Sequence, residues 1–238
     1  MNIYIDNELG QTNILITAPH GGSKKPISLP DRSYGKLYRD SYTKSLTLKL
    51  LDKFKYRPYS LISNIHRKKV DLNRDLKEGA QENIYSKNIW YYWNYMVSEY
   101  KCNILSKNNS GLYIDIHSHN NSHEFQLGYN LSESNYNKVL KGKNIKGSTL
   151  DSLNENLYEM MFGEYSIKNS LEKNGFSVFK PRFGEQYFNG GYNIETFSGD
   201  GLASIQIEVP ISILKLYRYD IVDVLYESIR TFKDLFIT

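Results

Sequence analysis

Three of the five histidines in this chain fall within seven residues, in the stretch GLYIDIHSHNNSHE at 111–124. Imidazoles at that density, beside Asp115, can hold a divalent metal or move a proton. Leu112, Tyr113, Ile114 and Ile116 read as a short buried strand, which puts His117 at its carboxyl end and Asp115 on the same side of the pleat. Three more hydrophobic runs end on residues able to do chemistry. NILITA runs into His20, ISNI into His66 and Arg67, and ASIQI into Glu208.

Together these ends offer three imidazoles, a guanidinium and a carboxylate. A catalytic zinc takes three histidine or carboxylate ligands and leaves one position open. His20 and His117 supply two of them, with Gly21 and Gly22 expected to turn the chain tightly and leave room above the ion. Asp40, expected in the first turn of the next helix, is the nearest downstream carboxylate for the third place. His119 and His123 compete for it, and Asp115 fits better as the partner that orients an imidazole. Glu208 interrupts the apolar run IQIEVP, where an unpaired carboxylate is costly to bury, and a general base would explain it. Arg67, with Asn73 and Arg74 of DLNR, forms a cationic wall suited to an oxyanion or a substrate carboxylate.

Each residue also has an ordinary explanation. PHGG can be a plain turn, Asp71 or Asn73 can cap a helix, and Asp40 can sit at a helix N-terminus for the dipole. Those explanations do not account for all the reactive types meeting at one sheet edge.

The elements that must position these residues alternate between strand and helix. Strands are expected at 13–18, 59–65, 112–116, 176–179 and 203–209, and helices at 38–54, 82–105, 149–173 and 221–236. Gly175 stops the third helix, 188–194 (FNGGYNI) is turn-rich, and 131–147 reads as a lysine- and asparagine-rich insertion. The aromatic run WYYWNY reads as helix packing. Such alternation implies an α/β fold of three layers, α/β/α, on a central mixed, largely parallel sheet, with residues 1–238 as one domain. In such sheets ligands bind beyond the carboxyl ends of the strands.

A hydrophobic share of 40% and a charged share of 24% leave enough apolar residues for a proper core. The single Cys102 excludes an internal disulfide or a cysteine-built zinc site and suits a reducing compartment. With no leader pattern and no apolar run near the roughly 20 residues of a membrane helix, a cytoplasmic location is expected. The net charge of +4 is small and spread out, so neither nucleic acid nor membrane is expected as a partner.

APHGG, Arg67 followed by VDLNR, DIHSH, FNGGYNI and IQIEVP, in that order, resemble the N-formylglutamate amidohydrolase family. That family is similar to the zinc carboxypeptidases and to the aspartoacylase and succinylglutamate desuccinylase enzymes. The resemblance runs from about residue 13 to 210. It implies a zinc-carboxypeptidase-like (phosphorylase/hydrolase-like) fold, one zinc per chain and hydrolysis of an amide in a small, carboxylate-bearing N-acyl amino acid. Carried over by position, His20 and His117 are metal ligands, Glu208 the general acid/base and Arg67 the arginine that polarises the carbonyl. Asn73 and Arg74, bordered by Gly190 and Gly191, hold the substrate carboxylate. Ser23 departs from the carboxypeptidase pattern, which has a glutamate three residues after the first histidine. Two alternatives stand beside this reading. A metal-dependent phosphoesterase would share the HxH of DIHSH but needs more histidines than follow it. A catalytically retired scaffold serving as a binding module would have no need of Glu208.

Overall fold

The computed structural model describes residues 3–181, 187–216 and 220–238. Six strands form one sheet: β1 (Ile5–Glu8), β2 (Ile14–Ala18), β3 (Tyr59–Ser63), β4 (Gly111–His119), β5 (Gln126–Gly128) and β6 (Leu202–Pro210). Their order across the sheet is β1-β3-β2-β4-β6-β5. The four central strands are parallel, and the short edge strands β1 and β5 run antiparallel to their neighbours. The sheet is therefore mixed and largely parallel, as the alternation of elements implies.

Helices cover both faces. In chain order they are α1 (Thr43–Lys53), α2 (Leu76–Gly79), α3 (Ile84–Leu105), α4 (Glu133–Leu140), α5 (Leu157–Phe162), α6 (Ile167–Lys173), α7 (Tyr192–Phe197), α8 (Ile211–Leu216) and α9 (Asp220–Phe236). None among the described residues is long and apolar enough to cross a membrane. The alternation of side chains along the central strands sorts two cores. Leu112, Ile114 and Ile116 of β4 and Ile205, Ile207 and Val209 of β6 pack with Leu50 of α1 and Ile229 of α9. On the other face Leu15, Tyr113 and Leu202 pack with Trp93, Val97, Tyr100 and Ile104, which recur at helical spacing along α3.

Several elements differ from the sequence reading. Helix α1 starts five residues later than expected, because Tyr42 takes a left-handed conformation (φ 70°) and breaks the run. The single helix expected over 149–173 is a 3-10 turn (Asp151–Leu153) followed by α5 and α6. Asn154 turns left-handed (φ 56°), and Asn156 and Ser166 each cap a new start through their side chains. The stretch 131–147 is not a bare insertion: Leu131, Tyr136 and Val139 are buried, and α4 packs into the first core. Residues 176–179 contribute one bridge, Val178 to Phe125, rather than a strand.

Candidate active site

One face of the pleat becomes polar at the carboxyl end of the sheet. Behind Leu15, Tyr113 and Leu202 stand Thr17 of β2, Asp115 and His117 of β4, and Gln206 and Glu208 of β6. The parallel register sets Asp115 beside Gln206 and His117 beside Glu208. His20 follows β2 by two residues, and its backbone carbonyl accepts a hydrogen bond from the Asp40 N–H at 3.1 Å. Asp40 therefore enters from the loop before α1, not from the helix.

His20, Asp40 and His117 come together as a group of buried metal-ligating side chains. His20 Nδ1 lies 3.2 Å from His117 Nδ1 and 3.3 Å from Asp40 Oδ2, and His117 Nδ1 lies 2.8 Å from the same oxygen. The opposite ring nitrogens are taken. His20 Nε2–H donates to Asp71 Oδ1 at 2.6 Å, and His117 Nε2–H donates to Asp115 Oδ2 at 3.1 Å. Both Nδ1 atoms therefore face the Asp40 oxygen. Three ligand atoms of a tetrahedral zinc site lie roughly 3.3 Å apart, given bonds of about 2.0–2.1 Å. The donor set, its spacing and the carboxylates behind both imidazoles fit that ion.

The electrostatics point the same way. Burial pushes His117 down, but the carboxylates of Asp115, Asp40 and Glu208 override it and raise it to about 10. Burial opposes ionisation of Asp40 too, yet His20 and His117 hold it well below the usual carboxylate range. The cluster is electron-rich and calls for a cation.

Glu208 stands beside His117 with Oε1 accepting from Gln206 Nε2 at 3.2 Å and Oε2 buried without a hydrogen-bond partner among the described residues. Burial raises it above the usual glutamate range, and Asp40 adds to that, against the pull of His117, Lys36 and His20. Arg67 Nε donates to Asp71 Oδ2 at 2.7 Å, and its Nη1 lies 3.6 Å from Asp40 Oδ1. Arg74 is half-buried, with Nη1 on the Asn73 carbonyl (2.7 Å) and Nε 3.4 Å from Glu78 Oε1. Asn73 Oδ1 accepts from the Asn193 N–H at 2.7 Å, which ties DLNR to the start of α7.

One cleft of about 900 Å³ has His20, Arg67, Asn73, Arg74, His117, Gly190, Gly191 and Glu208 at its wall, and Asp40 is not part of its lining. His66 lies outside it. His119, in β4 rather than in a loop, lines the cleft but donates from Nε2 to the Glu124 carbonyl (3.0 Å), and His123 meets Ser212 on the surface. Neither joins the His20–Asp40–His117 group. Gly21 and Gly22 do not clear space above it. A side chain on Gly21 would strike Thr43 and Lys44, and one on Gly22 would strike Asn64 and Ile65, so both serve close backbone packing.

Gly190 has φ +123°, and a methyl there would come within 2.3 Å of Ile194 Cδ1. Gly190→Ala is expected to cost about 1–3 kcal/mol of stability, read as a lowered urea midpoint. An unchanged midpoint would mean that the turn tolerates another backbone conformation.

Asp71 is the residue that sequence reasoning passed over. Read as a helix cap, it leaves that task to Asp75, whose side chain accepts from the Glu78 N–H. Asp71 instead accepts from His20, Arg67 Nε and the Asn73 N–H (3.0 Å), with Arg32 Nη1 at 3.5 Å. The available signal was its setting in V-D-L: Val70 and Leu72 are fully buried, so an acid between them needs partners.

Fold and site together define an α/β protein with helices on both faces of a mixed, largely parallel sheet and a candidate metal centre at the strand ends. Among solved structures, the chain is similar to N-formylglutamate amidohydrolase from Ralstonia eutropha JMP134, with a TM-score of 0.64 and 13% identity over 98% of each chain. It is equally similar to a gene product of Agrobacterium tumefaciens, with a TM-score of 0.64 and 12% identity over 98% of this chain and 96% of that one. The resemblance carried by the sequence motifs thus has a counterpart in the fold. No family model matches the sequence, and no curated protein matches it.

Proposed function

We infer that the chain is a metal-dependent hydrolase cleaving the amide bond of an N-acyl amino acid. One observation carries this reading: His20 Nδ1, His117 Nδ1 and Asp40 Oδ2 converge beside the unpartnered oxygen of Glu208. His20, His117 and Asp40 would hold one zinc per chain, which when bound supplies a Lewis acid for the acyl carbonyl and for water. Glu208 takes a proton from the attacking water and returns it to the leaving nitrogen, so that OH ends on the acyl carbon and H on the amine. Its raised proton affinity suits a base that must also act as an acid.

Arg67 stabilises the developing oxyanion with the guanidinium N–H groups that Asp71 does not engage. Asn73 and Arg74 hold the carboxylate of the amino acid across the Gly190–Gly191 turn. A small substrate with a free carboxylate follows, and the formyl group is the first acyl group to try, given the Ralstonia protein to which the chain is similar.

Elemental analysis of wild type and His117→Ala is the direct test. About one zinc per chain is expected in wild type and far less in the variant. A chelator should abolish turnover of N-acyl amino acids, and added zinc should restore it. Folded protein that neither holds nor responds to metal would overturn the reading.

A further inference from the structure

Gln206 lies on β6 two residues before Glu208, on the same face of the pleat and beside Asp115 in register. It is only 2% exposed and lines the cleft. With Glu208 ionised, as a base awaiting a proton must be, its amide has one workable orientation. Nε2 donates to Glu208 Oε1 at 3.2 Å, and turning the amide over would set two oxygens against each other. The carbonyl Oε1 is then buried with no hydrogen-bond partner among the described residues. An unmet buried acceptor is costly, and it marks a place where a donor is wanted.

Gly191 shows where that place is. A methyl on Gly191 would stand 2.8 Å from Gln206 Oε1 and 2.6 Å from Asn73 Nδ2. The missing side chain keeps a gap between an amide acceptor and an amide donor. Asn73 cannot turn over either, because its Oδ1 is held by the Asn193 N–H. Its Nδ2 lies 3.2 Å from His117 Nε2, whose own proton goes to Asp115, so the Nδ2 hydrogens remain for another acceptor. One acceptor and one donor across a gap match a ligand with an N–H next to a carboxylate. The amide nitrogen and α-carboxylate of an N-acyl amino acid have that arrangement.

We propose that Gln206 binds the scissile amide through its N–H, with Oε1 accepting that hydrogen while Nε2 holds Glu208 in place. This assignment rests on the hydrolase reading above and adds a selectivity to it. The site recognises an amide, and the corresponding ester, which has oxygen in place of N–H, leaves Gln206 Oε1 unmet.

The test compares KM and kcat for an N-acyl amino acid and for the matching O-acyl hydroxy acid, in wild type, Gln206→Met and Gln206→Asn. Either substitution also disturbs Glu208, and that loss falls mainly on kcat and more heavily on the amide, whose nitrogen needs the returned proton to leave. Loss of the N–H acceptor weakens binding of the amide alone, so the discriminating quantity is the amide-to-ester ratio of 1/KM. That ratio is expected to fall about tenfold in Gln206→Met, and in the same direction in Gln206→Asn, which withdraws the amide by one methylene. Equal changes in KM for both compounds in whichever variant folds would overturn the assignment while leaving the hydrolase intact. Wild type that turns over neither compound would overturn the N-acyl amino acid reading itself, and this assignment with it.

Discussion

Glu208→Gln is expected to lower kcat by about 10²–10⁴-fold while leaving the metal bound. The substitution keeps the shape and the bond to Gln206, since a glutamine oxygen can accept from Gln206 Nε2 in place of the carboxylate. What it removes is the ability to take a proton. The pH profile gives a second reading of the same group. Burial raises Glu208 above the usual glutamate range, so its protonated form persists to higher pH. Activity of the wild type should rise with pH through that raised value, and the residual activity of the variant should lack this limb. Stability should move the other way. A raised carboxyl contributes stability below its unfolded value and loses it as pH climbs through the folded one. At neutral pH the neutral glutamine should therefore melt no lower than wild type, which separates lost chemistry from lost fold. Unchanged kcat would remove Glu208 from the mechanism.

Asp71→Ala should have the largest effect on the folded state. Asp71 has no exposure at all, and Arg67 and Arg32, at 3% and 4%, are nearly as enclosed. Burial alone would raise its proton affinity, but His20, Arg67 and Arg32 hold it far below the usual range. Removing the carboxylate leaves two buried guanidiniums without the charge they share. Breaking a buried pair in this way costs about 3–5 kcal/mol, a large part of the stability of an ordinary domain. Asp71→Asn keeps the volume and separates the second role. It loses the anion behind His20 Nε2, and metal affinity should drop about 10–100-fold. Urea denaturation tests the first effect and competitive metal titration the second. A wild-type midpoint in Asp71→Ala would show that the arginines find other partners. Unchanged affinity in Asp71→Asn would show that His20 is oriented without it.

The central strands were legible because their patterns obey one period. In L-Y-I-D-I-H-S-H the isoleucines alternate with Asp115 and His117, and in A-S-I-Q-I-E-V they alternate with Gln206 and Glu208. Such alternation fixes both the strand and the face. What stayed hidden depends on contacts distant in sequence. Asp40 reaches His117 across 77 residues through a loop that has no period. The apolar neighbours of Asp71 show that it needs partners, but which ones appears only when His20, 51 residues away, is beside it. The helix expected over 149–173 failed for a local reason: Asn154 and Asn156 stop one helix and start another, as asparagine does when its side chain competes for backbone N–H groups. Edge strands β1 and β5, of four and three residues, are too short to show a period.

The pairing of His117 with Glu208 has a consequence for how this sequence can change over time. Both residues hang from the same side of two adjacent parallel strands, and that side is set by counting residues. A single-codon insertion or deletion inside β4 or β6, upstream of either one, would turn that residue away from its partner, toward the apolar layer of Ile114 and Ile207. Length variation should therefore collect in the loops outside the sheet, while the spacing from Leu112 to His117 and from Leu202 to Glu208 behaves as a fixed ruler. Among distant relatives, those two intervals should persist after most residue identities have drifted.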